Sequence, residues 1–162
     1  MKPSVILTLA LVLCSSCFLR ARRAARLEGR YAIEVSAYGW HTVNPGGADR
    51  AWRNDAVSAT LYTDSNCGMR FQDLPLERLL HHQLAGLKDS VLLSEDWGQL
   101  DGRESLTVRY QGMMDGVPTG LGLTVLKKGQ CVYDFVLVGP PVQMEVSWPD
   151  YRSMLATFRT ES

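Results

Sequence analysis

From Tyr31 onward the chain alternates apolar and polar positions with the two-residue period of β-strands. Tyr31, Ile33, Val35 and Ala37 alternate with Ala32, Glu34, Ser36 and Tyr38. That pattern predicts a strand with one buried face, closed by Gly39-Trp40. Asn44-Pro45-Gly46-Gly47-Ala48-Asp49-Arg50 reads as a loop. Val57, Ala59 and Leu61 alternate with Ser58, Thr60 and Tyr62, which predicts a second strand ending in the loop Asp64-Ser65-Asn66-Cys67-Gly68. The period then changes. Leu76, Leu79, Leu80, Leu84 and Leu87 share one stripe of a helix. Asp73 fits its N-cap, Pro75 its first turn and Glu77 the positive end of its dipole, and Gly86 marks its stop. Val91-Leu92-Leu93 returns to strand, followed by a turn at Asp101-Gly102.

The last third predicts a three-stranded meander. Leu106, Val108 and Tyr110 alternate, Asp115-Gly116 supplies a hairpin turn, and Leu121, Leu123 and Val125 alternate again. After the turn Lys127-Lys128-Gly129-Gln130 comes Cys131-Val132-Tyr133-Asp134-Phe135-Val136-Leu137-Val138. This run is apolar on both faces except at Asp134, so it belongs in the middle of a sheet with something packed on each side. Ser147-Trp148-Pro149-Asp150 has a capping-box pattern and predicts the start of a closing helix that buries Tyr151, Met154, Leu155 and Phe158.

The N-terminal segment has a different pattern. Lys2 precedes the apolar run Val5 to Leu13, and Cys14-Ser15-Ser16-Cys17 follows. A charged start, a short apolar core and small residues before a cysteine describe a bacterial export signal with a lipid acceptor at Cys17. Cys14 stands where a lipobox usually carries Leu. An ordinary secretory signal and an uncleaved anchor from Val5 to Leu19 are the other readings, though fifteen residues fall short of the ~20 a span needs. On the lipoprotein reading the chain divides into a signal peptide (1–16), a neck (17–30) and one domain (31–162). The protein then faces the periplasm, and Phe18 after the cysteine favours the outer over the inner membrane.

Charge sharpens that division. The chain is neutral overall, yet residues 1–30 hold six basic residues and one acid, and the remainder holds eleven bases and sixteen acids. The neck fits a polybasic helix on anionic headgroups, each Arg contributing ~1 kcal/mol near the surface, or a solvated spacer. The acidic body repels nucleic acid. The neck carries little apolar surface, so the domain is expected to fold without it, as a soluble monomer.

The order of elements between Tyr31 and Arg159 resembles the PsbP/Mog family of α/β/α sandwiches, and in particular its small DcrB-type bacterial lipoproteins. The resemblance rests on the first strand ending in Gly39-Trp40, the Leu-rich helix over 74–88, and Leu100-Asp101-Gly102-Arg103-Glu104-Ser105-Leu106. It is completed by Cys131-Val132-Tyr133-Asp134-Phe135 and a final helix ending in Thr157-Phe158-Arg159. It implies an α+β fold, an antiparallel sheet with helices packed on its faces. It also implies a binding or assembly module without a shared active site.

The candidate chemistry is sparse. His81 and His82 are adjacent, and helix neighbours lie ~100° apart, so they do not converge on one metal. His41 has no nucleophile motif beside it. Asp134 needs a partner or a raised pKa if buried; it lines a pocket, faces a sheet edge, or pairs with Arg109. Trp40, Trp52, Trp97 and Trp148 lie near element ends, as a ligand floor or as rim seals. Cys67 and Cys131 remain once Cys17 is acylated, and an even pair in an oxidising compartment is a disulfide candidate, with two free thiols the alternative. No catalytic residue, metal or cofactor is assigned. The first functional reading is a membrane-anchored lipoprotein that holds a protein partner. A small-ligand binder and an enzyme with an unrecognised site are the alternatives.

Overall fold

A computed structural model describes residues 29–71 and 73–161. The expected signal peptide, Cys17 and most of the neck lie outside the described residues. In chain order the strands are β1 Tyr31–Ala32, β2 His41–Thr42, β3 Arg50–Asn54, β4 Ala59–Cys67, β5 Leu87–Leu100, β6 Arg103–Met114, β7 Val117–Lys128, β8 Cys131–Gly139 and β9 Arg159–Thr160. The helices are α1 Leu76–Gln83 and α2 Met144–Thr157. Seven strands form one antiparallel sheet in the order β2-β3-β4-β8-β7-β6-β5, and β1 pairs with β9 beside it.

Strand alternation sorts the core into two layers. On one face Leu106, Val108, Leu121, Leu123, Val125, Val132 and Val136 meet Leu76, Leu79 and Leu80 of α1. On the other, Leu61, Leu126, Tyr133, Phe135 and Leu137 meet Met144, Tyr151, Met154 and Leu155 of α2. The strand β8 is the fourth of seven and feeds both layers, which is why its sequence is apolar on both faces. The hairpins joining β5 to β6 and β6 to β7 turn on Asp101-Gly102 and Asp115-Gly116. All four residues have positive φ, from 48° to 81°, as tight hairpin turns require. The fold is α+β, an antiparallel sheet with a helix on each face.

Several expected boundaries move. The alternation at Tyr31–Ala37 is real in burial, since Tyr31 and Ile33 are buried. Only Tyr31–Ala32 is strand, because its partner β9 is two residues long. The expected loop at 44–50 gives way at Arg50 to β3, a strand whose mixed Arg-Ala-Trp-Arg-Asn sequence hides its period. The second strand does not stop at Asp64 but runs to Cys67, burying Thr63 and Ser65 where the pattern predicts apolar residues. The Leu-rich helix is shorter than 74–88. Its N-cap is Pro75 with no side-chain cap bond, and Leu87 already opens β5. The closing helix starts at Met144, after a 3₁₀ turn at Pro141–Gln143. Ser147 is therefore buried inside it rather than capping it, and Pro149 lies within the helix.

Candidate functional site

Cys67 and Cys131 form a disulfide between β4 and β8. They sit directly opposite each other in register, with Cα atoms 3.9 Å apart. The bond closes a loop of 64 residues and ties the first half of the sheet to its central strand.

Asp134 lies in β8 at 8% exposure and faces α1 with Val132 and Val136. Gln83, the last residue of α1, donates to its Oδ2 from Nε2 at 3.0 Å. Burial, and then the Asp134 charge, push the Tyr62 hydroxyl above its ordinary pKa. The expected pairing with Arg109 does not occur. Arg109 leaves β6 toward α2, and β7 lies between β6 and β8, so the two groups are on opposite faces and two strands apart. Nor is Asp134 at a sheet edge.

Arg109 instead builds a corner with α2. Its guanidinium stands 4.7 Å over the Trp148 ring and pairs with Glu145. The edge of the Trp148 ring comes down on Gly122, the cross-strand partner of Arg109. A Cβ on Gly122 would stand 2.5 Å from Trp148 Cζ3, so only glycine admits the indole there. Deeper in the same layer the Tyr151 hydroxyl lies 2.8 Å from Thr124 Oγ1 and donates to the Phe135 carbonyl at 3.0 Å. Complete burial drives its pKa upward.

Two polar networks join residues that no sequence pattern brings together. Asp49 Oδ2 accepts from Tyr31 at 3.1 Å and from Ser65 at 2.6 Å, while the Tyr31 hydroxyl lies 2.7 Å from Thr63 Oγ1. Burial dominates the upward shift of the Tyr31 pKa. Asp101 Oδ2 accepts from Lys128 Nζ at 2.7 Å, and from the Thr160 amide and hydroxyl at 2.8 Å each. The Lys128 bond, then the Thr160 bonds, hold its carboxyl well below the usual carboxylate range. Both networks fasten the terminal β1–β9 pair to the main sheet. Each aspartate is sequence-adjacent to glycine or arginine in turn-like surroundings, so only its turn role is legible from sequence.

The histidines are not assembled into a centre. His81 and His82 are exposed beside Glu77 and Arg78 on the outer side of α1, around an open cleft of about 380 Å³. His41 Nε2 lies 3.7 Å from Asp55 Oδ2 on the surface. No group of three or more metal-ligating side chains occurs among the described residues. The tryptophans do not share one floor either. Trp40 is buried and donates to Asp150 Oδ2 at 2.9 Å, Trp52 and Trp148 pack on the α2 layer, and Trp97 stands exposed on β5. A second open cleft, about 450 Å³, is lined by Trp148, Pro149, Arg152 and Ser153.

The most conspicuous surface is β5. It has 14 residues and ends the sheet, so among the described residues it has a strand on one side only. Val91, Leu92, Leu93 and Trp97 are 52, 45, 50 and 47% exposed. Leu92 and Trp97 register with Tyr110 and Leu106 on the α1 face, and Val91 registers with Gln111 on the α2 face. Apolar side chains therefore flank a row of backbone donors and acceptors on both sides of one open edge. Natural sheets blunt such edges with charge, proline or bulges. The strand β5 has charges at Lys88, Asp89, Glu95 and Asp96 and two bulges, yet leaves Val91, Leu92, Leu93 and Trp97 exposed between and beside them.

No family model and no curated protein matches the chain. Solved structures do. The cyanobacterial PsbP (CyanoP) of Synechocystis sp. PCC 6803 aligns at TM-score 0.55 and 11% identity, over 85% of this chain and 96% of that one. The chain has a PsbP-like fold. LpqN of Mycobacterium tuberculosis, described as involved in cell envelope biogenesis, aligns at TM-score 0.61 and 9% identity, covering 83% of this chain and 86% of its own. A protein of unknown function from Pseudomonas aeruginosa, PA94, aligns at TM-score 0.54 and 15% identity, covering 86% and 88%. At these identities the PsbP-like fold is what is shared. No helix among the described residues is long and apolar enough to cross a membrane.

Proposed function

We propose that this PsbP-like chain is an extracytoplasmic lipoprotein of the DcrB-type kind, anchored through Cys17 and its basic neck, that acts as a binding and assembly module. The observation that carries the binding role is the β5 edge. A strand with exposed Val91, Leu92, Leu93 and Trp97, and with no partner strand on its outer side among the described residues, is suited to receiving another polypeptide. Export supports the same reading twice. The N-terminal segment has the order of a lipoprotein signal, and the Cys67–Cys131 disulfide suits an oxidising compartment. That LpqN, a protein of this fold, is described as involved in cell envelope biogenesis adds to it. Membrane lipid is the partner at the neck and a protein the partner at the sheet. No catalytic role is assigned to any residue.

A photo-crosslinking residue in place of Trp97, in the full chain expressed with its native leader, tests the binding role. Expected are defined protein adducts at Trp97 and none with the same residue in place of Val142, which is more exposed still and lies away from β5. Absence of any adduct at Trp97 overturns it. Labelling with a fatty acid tests the anchor. Label should be lost in Cys17→Ala; label that survives this change overturns Cys17 as the acceptor.

A further inference from the structure

Main-chain edges are satisfied by strands, and the sequence of β5 specifies which strand fits. We infer that β5 pairs antiparallel with β5 of a second copy of this chain, across a two-fold axis at Leu92, joining two sheets into one. This inference rests on the binding role of the β5 edge proposed above and names its occupant.

The argument is register. A continuous antiparallel sheet with a two-fold axis perpendicular to it matches residue with residue symmetrically, and opposed residues must share a face. Centring on Leu92 sets Lys88 against Asp96 of the other copy, and Leu87 against Trp97. Both matches obey the face rule in this structure. Lys88 registers with Met113 and Asp96 with Thr107, and both β6 partners lie on the α2 face with Arg109. Leu87 registers with Met114 and Trp97 with Leu106, and both belong to the α1 face, where Leu87 and Leu106 pack. The two register shifts in β5, between Lys88 and Val91 and between Leu92 and Ser94, preserve this parity rather than breaking it.

Charge and hydrophobicity then complement across the axis. Each copy carries a cation near one end of the strand, an anion near the other and Val91-Leu92-Leu93 between them. Antiparallel self-pairing makes the Lys88–Asp96 contact twice and lays the apolar centre against itself. Parallel pairing would set Lys88 against Lys88 and Asp96 against Asp96, so charge selects the antiparallel arrangement. Asp89 falls across from Glu95, the one like-charged match. It sits in the first bulge with φ 49°, outside the regular alternation of the strand. On this inference the domain is a dimer where the sequence leads one to expect a monomer, and sedimentation decides between them.

The test is sedimentation of the full-length chain in mild detergent over a dilution series, with paired charge reversals. Lys88→Asp and Asp96→Lys, each alone, should weaken the dimer by about tenfold or more, and the double variant should recover it. Both positions are exposed in the single chain, so folding is not at stake, and thermal unfolding at a dilution where every chain is monomeric should be unchanged. In parallel, Leu92→Cys should give a covalent dimer on mild oxidation where Val142→Cys does not. A chain that stays monomeric at every dilution overturns the pairing, as does a dimer indifferent to both reversals or one that Leu92→Cys fails to trap. If the chain is monomeric while Trp97 still captures a different protein in cells, the binding role stands and self-pairing fails. If Trp97 captures nothing, the binding role itself has failed.

Discussion

The strands β8 and β5 have similar apolar runs and opposite fates. In β8, Val132, Tyr133, Phe135, Val136 and Leu137 are all buried between two helices. In β5, Val91, Leu92 and Leu93 are about half exposed. The difference is position: β8 is the fourth strand of seven and β5 the last. Hydrophobic residues in β8 are accounted for by folding alone. Those in β5 are not, since among the described residues neither helix covers them, and their surplus is what the proposed binding role rests on. On the proposed binding role, the contrast separates stability from function within one sheet.

The largest test of that contrast is a truncation in each strand. Phe135→Ala should cost about 3–5 kcal/mol, because it empties a fully buried site in contact with Phe158. Leu92→Thr should stay within about 0.5 kcal/mol when both chains are diluted until monomeric. Urea denaturation of both measures this. A Leu92 cost approaching that of Phe135 would mean β5 is covered in the folded chain and is no docking edge.

Next is the bond that ties β4 to β8. Replacing Cys67 and Cys131 by Ser together should cost up to ~4 kcal/mol on the chain-entropy model for a 64-residue loop. Thermal unfolding of oxidised chain and double variant compares them. An unchanged midpoint would show that β8 is held by packing alone. Gly122→Val should follow at about 1–3 kcal/mol, since the new side chain displaces Trp148 from the sheet. Indole fluorescence should shift to the red with it. A variant with unchanged emission and stability would mean the α2 layer yields more easily than the geometry implies.

Most of the sheet was legible because its strands obey a two-residue period and its hairpins carry Asp-Gly turns. The central place of β8 was legible for the same reason: only a strand covered on both sides tolerates that composition. Strand order was not. Nothing in Val91-Leu92-Leu93 distinguishes an edge from a centre, because edge and centre are fixed by long-range pairing and not by local pattern. The tail of β4 was hidden because Thr63 and Ser65 are buried polar residues, satisfied by Tyr31 and Asp49 from distant segments. The same distance defeated the Asp134–Arg109 match, since facing across a sheet depends on register that sequence spacing does not give. The Cys67–Cys131 pair was found by counting cysteines and by compartment, which need no register.

The smallest effect concerns the end of β5, where Asp101 anchors the turn into β6 to Lys128 and Thr160. Its folded pKa lies below the unfolded value of about 4. A depressed carboxylate contributes stability that is fully present above the unfolded pKa and is lost as pH falls toward the folded one. The wild-type chain should therefore exceed Asp101→Asn in thermal midpoint at pH 7, by an amount corresponding to about 1 kcal/mol. The gap should hold down to about pH 5 and close progressively below pH 4, as the carboxylate protonates and loses its claim on Lys128. Calorimetry of the two chains across that range measures it. A gap that widens on acidification would reverse the sign and show that Asp101 is held neutral. A gap independent of pH would assign its role to the shape of the turn, leaving β5 fixed by pairing with β6 alone.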